Sequence, residues 1–265
     1  MKLYKIAFLI CGVLLAFTSC KEDEVEPFSA APGLNFITYD SGKWSDGATS
    51  YENLFTTVDF FGYYATKKTI DLEYVDVPVC LQLEGRLSDK PLTIRLKAES
   101  AEGYEMPELI MPSDSVMEPG KYQRLFNIRC KRPTDDKVYK VIIKVDYDHS
   151  DFVAGTMERQ QYEITVKDQT DWESMWVDNA EEWNANYSSA LGNYGDVKVR
   201  FIQAALGAAG YSAQSISYKY YYQSYYPAYG FNANLMEILN DALTEYNNTH
   251  EKPLSEADGT PVTFN

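Results

Sequence analysis

The chain has 265 residues, with 24 Lys and Arg against 39 Asp and Glu, for a formal net charge of −15. A surface this acidic repels phosphate backbones, so nucleic acid is excluded as an expected partner. Only two histidines, His149 and His250, are present, and there is no HExxH, phosphate-cradling Gly-rich loop or CxxC; histidine-rich metal sites and Ser-His or Cys-His hydrolases therefore lack their parts, and no metal or cofactor is expected.

The N-terminal stretch predicts a location. Lys2 and Lys5 precede Ile6–Phe17, a run of 12 residues that are all apolar or Gly. A membrane-spanning helix needs about 20, so the run has the length of a signal-peptide core. Thr18 and Ser19 then precede Cys20, the arrangement of a bacterial lipoprotein signal, with Phe17 where Leu is usual. The expectation is a leader over 1–19 and cleavage before Cys20, which becomes the acylated anchor in the membrane; several acyl chains hold where one is marginal. Losing Lys2 and Lys5 would move the formal charge from −15 to −17 and leave 246 residues. Lys21, Glu22, Asp23 and Glu24 resemble the acidic tag that sends lipoproteins to the outer face of a Bacteroidales-type envelope. Val25 to Gly33, with two prolines, completes a tether over 20–33.

From 34 to 168 the pattern is of short strands. Leu34–Tyr39 reads as the first; Thr56–Tyr64 and Ile70–Tyr74 are weaker. Val77–Leu83, Leu92–Ala98, Leu109–Met111, Arg124–Cys130, Tyr139–Tyr147 and Gln161–Val166 follow. Leu92, Ile94, Leu96 and Ala98 share a face, as do Val141, Ile143, Val145 and Tyr147. Turn residues at Ser88–Pro91, Glu118–Gly120 and Pro133–Asp136 separate the strands. The expectation is a two-sheet antiparallel sandwich. Cys80 points away from the face of Val77, Val79, Leu81 and Leu83, whereas Cys130 shares the apolar face of Phe126 and Ile128. That parity argues against a disulfide between them unless a bulge reverses it.

Over 169–265 the period becomes helical. Trp172, Met175, Trp176, Ala180 and Trp183 recur at helical spacing, and Thr170 with Glu173 has capping-box spacing. The tryptophans at this spacing read as core. Asp196 is positioned to start a second helix carrying Val197, Phe201, Ile202 and Ala205. Leu235, Met236, Ile238, Leu239, Ala242, Leu243 and Tyr246 form the stripe of a third, with Asn234 ahead of it. Between the last two helices lies a tract with seven tyrosines in 12 residues: Tyr218, Tyr220, Tyr221, Tyr222, Tyr225, Tyr226 and Tyr229. Flat apolar faces with polar tips suit wet interfaces with sugar, peptide or protein. They equally suit packing over the helices, and both readings stand.

The segments A101-E-G-Y-E-M-P, L109-I-M-P, M117-E-P-G-K121, F126-N-I-R-C130, K137-V-Y-K-V-I-I-K-V145 and Y162-E-I-T-V166 resemble Calx-β-like, immunoglobulin-type domains. L191-G-N-Y-G-D-V-K-V-R-F-I202 and the stretch from Glu245 to Phe264, which opens E-Y-N-N-T-H and closes P-V-T-F, resemble an uncharacterised family of Bacteroidales surface lipoproteins. The resemblance implies a mainly β chain with a smaller α region: an immunoglobulin-like β-sandwich followed by a helical C-terminal domain. It also implies a place beside SusC/SusD-type importers of glycans or peptides, and it brings no catalytic residues. Calx-β domains hold calcium through clustered carboxylates; Asp135, Asp136, Asp146 and Asp148 lack the spacing of a dedicated loop and read as solvated turn acids.

The resulting expectation is an outer-membrane, outward-facing lipoprotein that is not an enzyme and serves a SusC/SusD-type system as a binding or accessory component. A carboxylate glycosidase, needing two acids roughly 5–9.5 Å apart, is the second reading. A structural or adhesive module is the third.

Overall fold

Period-two alternation builds the first layer of the structure, a computed structural model in which residues 31–40, 43–45, 54–113, 115–175, 177–211 and 233–265 are described. Strand β1 (Gly33–Asp40) pairs with β4 (Tyr74–Glu84), β4 with β9 (Gln123–Lys131), and β9 with the short β7 (Leu109–Ile110). On its other side β1 meets β11 (Val153–Ala154), and β2 (Lys43–Ser45) also pairs with it. A second sheet runs β3 (Phe55–Asp59), β12 (Gln161–Lys167), β10 (Tyr139–Val145), β6 (Leu96–Ser100). A two-stranded piece joins β5 (Leu92–Ile94) to β8 (Ser115–Met117).

Both large sheets turn their apolar faces into one cluster. Phe36, Val77, Val79, Leu81, Phe126 and Ile128 come from the first, and Val141, Ile143, Ile164 and Val166 from the second. Register makes the faces agree: Val79 lies opposite Phe126, Val77 opposite Ile128, and Val141 opposite Ile164. Each such side chain, fully buried, contributes about 1.5–3 kcal/mol. Cys130 belongs to this cluster, while Cys80 is buried on the other face of β4 and both thiols are free. Burial pushes the thiols up, Cys80 to about 11 and Cys130 to about 12.

The expected purely antiparallel sandwich is corrected to mixed sheets, because β3 runs parallel to β12 and β1 parallel to β11. Parallel partners need a long connection, and nearly the whole β region separates each pair. The strand expected over Thr56–Tyr64 ends at Asp59. There the Asp59 carboxylate accepts the Phe61 N–H at 3.2 Å and opens helix α1 (Phe60–Lys67). Capping wins because it lets Phe60 and Tyr64 enter the β core while Phe61 and Ala65, one position on, enter the helical core. No strand forms over Ile70–Glu73; β4 begins only at Tyr74. Leu92–Ala98 splits at Arg95, whose backbone N–H bonds Ser150 Oγ at 3.0 Å, and its halves join different sheets.

The helical part is also rearranged. Instead of one helix from Trp172, there is a short 3-10 turn at Glu173–Met175 and then α2 (Ala180–Asn186). Asn179, not Thr170, is the cap: its side chain accepts the Glu182 N–H at 3.0 Å, and Thr170 Oγ1 bonds the Tyr194 hydroxyl instead. Trp183 is fully buried and Trp172 packs against the same cluster, while Trp176 lies outside the described residues. After α3 (Ser188–Leu191) comes α4 (Asp196–Ala208), buried along most of its length, and then α5 (Ala233–Thr249) with Leu235, Leu239 and Leu243 inward.

Two devices seat α4. A Cβ on Gly207 would lie 2.1 Å from the Ala65 carbonyl oxygen, so glycine lets α1 and α4 touch backbone to backbone. At its other end the Glu256 carboxylate takes the N–H groups of Val197 and Lys198, each at 2.9 Å. A carboxylate there satisfies two orphan donors and complements the helix dipole.

Candidate functional site

Small side chains on facing helices leave a cavity of about 320 Å3. Ala204, Ala205 and Ala208 of α4 and Ala242 of α5 line it, with Phe201, Tyr246 and His250 as aromatic wall. The remaining side is the turn after α1. Lys68 ends that helix in the left-handed region at φ 60°, its N–H bonding the Tyr64 carbonyl at 2.9 Å. Thr69 Oγ1 then accepts the Asp71 N–H at 3.1 Å, which aims the Asp71 carboxylate back at α5.

Helical spacing places Tyr246 and His250 one turn apart. Their rings stack with centroids 3.7 Å apart and planes 10° from parallel, and Phe201 meets Tyr246 edge-on at 6.2 Å. Asp71 accepts from the Tyr246 hydroxyl at 3.4 Å and faces His250 Nε2 at 3.2 Å. His250 Nδ1 lies 2.8 Å from the Tyr246 carbonyl, one of the last in the helix. Burial, and then the nearby Asp71 charge, push the Tyr246 phenol up. The result is an apolar floor and aromatic wall with a rim of Asp71, Glu245 and Thr249. The volume lies at the small end of ligand sites, about 300–1,000 Å3, and the lining combines apolar area with a few convergent polar groups.

A second polar centre lies where β12 runs out toward α4. Asp168, 5% exposed, is held by Arg200, 8% exposed. Arg200 Nε donates to both carboxylate oxygens, at 3.1 and 3.2 Å, and Nη2 donates to the Asp168 carbonyl at 2.8 Å. The Tyr64 hydroxyl donates to Asp168 Oδ2 at 2.9 Å and accepts from Arg132 Nη1 at 3.1 Å. Burial first, and Asp168 next, push the Tyr64 phenol up to about 12. A cavity of about 280 Å3 opens beside this network, and Asp135, Asp136 and Asp196 also line it. Asp168 is committed to Arg200 and Tyr64. Asp196 holds Tyr194 and Arg200, and Asp135 holds Tyr139 and the Lys137 N–H. This is a network that fixes helix to sheet.

Several expected site residues lie outside the described residues: Cys20, Lys21, Glu22, Asp23 and Glu24, and Tyr218, Tyr220, Tyr221, Tyr222, Tyr225, Tyr226 and Tyr229. His149 is exposed and bonds Asp146 at 2.9 Å. Among the described residues no group of three or more His, Cys, Asp or Glu is placed to hold a metal ion, and no helix is long and apolar enough to cross a membrane. Sequence reasoning missed the cavity with Asp71. Its one local signal was the Tyr246–His250 spacing at the end of a predicted helix.

No protein-family model matches the chain, and no curated protein matches it. Among solved structures, the apo form of the Calx CBD1 domain is 9% identical with a TM-score of 0.35, covering 53% of this chain and 100% of that one. A candidate carbohydrate-binding protein from Bacteroides ovatus ATCC 8483 is 12% identical with a TM-score of 0.30, over 44% of this chain and 35% of that one. A Bacteroides ovatus protein of unknown function is 13% identical with a TM-score of 0.29, over 51% and 45%. The chain thus spans well under two thirds of either Bacteroides protein.

Proposed function

We propose that the protein is a non-enzymatic glycan-binding component of an outer-membrane uptake system, and that the cavity walled by Tyr246 and His250 takes a sugar ring. The observation that carries this is a stacked aromatic wall with the Asp71 carboxylate at its polar edge, beside an alanine floor. A sugar ring presents C–H groups on a face and hydroxyls at its edge. The floor and wall suit the face, and Asp71, Glu245 and Thr249 suit the hydroxyls. In this reading Cys20 carries the lipid, Lys21 to Glu24 direct export to the outer face, and the tyrosine tract from Tyr218 to Tyr229 adds contact surface for a longer ligand. An immunoglobulin-like sandwich backs the helices that carry the site, and a SusC/SusD-type importer is the partner.

Titration of the wild-type protein with a panel of neutral oligosaccharides tests the cavity. Tyr246→Ala is expected to weaken binding about ten-fold, the scale of one lost aromatic contact. Binding that is indifferent to both Tyr246→Ala and Asp71→Asn overturns the assignment. Changing Tyr220, Tyr221, Tyr222, Tyr225 and Tyr226 together to Ala reports separately on the tract. A gentle-detergent pull-down from native membranes, with Cys20→Ala as control, reports on the importer.

A further inference from the structure

A third cavity, of about 350 Å3, lies at the start of α4 and has a different chemistry. Lys198 faces it although the residue is only 6% exposed. Its ammonium donates to the Asn193 carbonyl at 2.9 Å and stands 5.9 Å from the Phe264 ring centroid. An ammonium has three donors, and among the described residues the other two find no acceptor. Glu256 lines the same cavity, yet both its oxygens already hold the backbone of Val197 and Lys198. Room for the ammonium is built in: a Cβ on Gly192 would lie 2.6 Å from Lys198 Nζ.

A buried charge with unfilled donors is costly, because burial removes water that would otherwise hydrate it. Burial accordingly holds the Lys198 ammonium below the ordinary lysine range, with Glu256 pulling the other way. Apart from Glu256, whose oxygens are taken by the Val197 and Lys198 N–H groups, the side chains around the ammonium are neutral and polar. The Asn193 side chain and the Thr263 hydroxyl make no hydrogen bond among the described residues, and Thr260 lies beside them.

We infer that this cavity binds one carboxylate carried on a hydroxylated ring, an acidic monosaccharide. The carboxylate would fill the two open donors of Lys198, and the hydroxyls would meet Asn193 and Thr263. The cavity's one ammonium matches one carboxylate, and the chain's net charge of −15 disfavours more highly charged ligands such as phosphates or a polyuronate. The volume is that of a ring and its substituents, well above that of acetate. This site is separate from the Tyr246 cavity and does not depend on it.

The test is calorimetric titration of the full chain with glucuronate, galacturonate and glucose at pH 7. At least one acid should bind about ten-fold or more tightly than glucose, and Lys198→Met should abolish that preference. Because Lys198→Met acts on a buried position, a second readout uses the wild type alone. Glucuronate should protect Lys198 from reductive methylation, seen by mass spectrometry, and glucose should not. Tyr246→Ala should leave acid binding unchanged. Equal binding of acid and glucose, unchanged acid binding in Lys198→Met, or equal methylation with and without glucuronate would each overturn the inference and leave the cavity to water. Loss of acid binding in Tyr246→Ala would overturn it too, by assigning the acid to the other cavity.

Discussion

Two cations sit two residues apart on α4 and are treated in opposite ways. Arg200 meets a carboxylate, two backbone carbonyls and a neighbouring acid, so four of its five N–H donors are engaged. Lys198 meets one carbonyl and an aromatic face. Both are more than nine-tenths buried. The Arg200 side of the helix is a rivet between helix and sheet, and a rivet leaves nothing for a ligand. The Lys198 side opens on a cavity and keeps donors in reserve. Burial alone therefore does not mark a charge as structural. The count of filled donors separates the two.

The comparison breaks most visibly at Arg200. Arg200→Met strands Asp168 as an uncompensated buried charge and is expected to cost about 3–5 kcal/mol in urea unfolding. Pairing it with Asp168→Asn should recover most of the loss, because the stranded charge is then gone. A single variant that loses under about 1 kcal/mol, the range of an exposed ion pair, would show that the rivet holds little.

High pH attacks the same side of the molecule. The fold keeps Tyr64 protonated, its pKa raised from 10.0 to about 12, and likewise Cys130, raised from 9.0 to about 12. Both folded values lie above the unfolded ones. Their contribution is complete below about pH 9 and is lost as pH rises toward about 12. The urea midpoint should fall across that window, and Cys130→Val should make the fall shallower. An unchanged slope in the variant would mean the thiol takes no part.

How much of this could be read from residues alone depends on how local each signal is. The alternation of Val141, Ile143 and Val145 carries its own face, and so does the stripe of Leu235, Leu239 and Leu243; both sit as expected. The segment Phe60–Lys67 misleads because its aromatic residues suit a strand equally, and the deciding contact is one side chain, Asp59, on one N–H. The rivet joins residues 32 apart and the Asp71–Tyr246 contact residues 175 apart, so neither exists before the chain folds. The mixed sheets were hidden for the same reason, since parallel pairing of β3 with β12 is a property of the crossover and not of either strand.

The finest test of the comparison is Lys198→Met, where the expected effect on stability is smallest. Methionine fills similar space without a charge, so it removes a desolvation cost and one hydrogen bond. At pH 7 the change in unfolding free energy should stay within about 1 kcal/mol and lean toward stabilisation, since uncharged replacements of buried ions often do. The pH dependence gives the sign independently. The folded lysine value is depressed, so the fold prefers the neutral amine and the wild type gains stability as pH rises toward the ordinary 10.5. The variant lacks that gain, so any advantage it holds at pH 7 should shrink as pH approaches the lysine range. A loss comparable to that of Arg200→Met would mean Lys198 also has a full partner in solution, and the contrast between the two sides of α4 would fall.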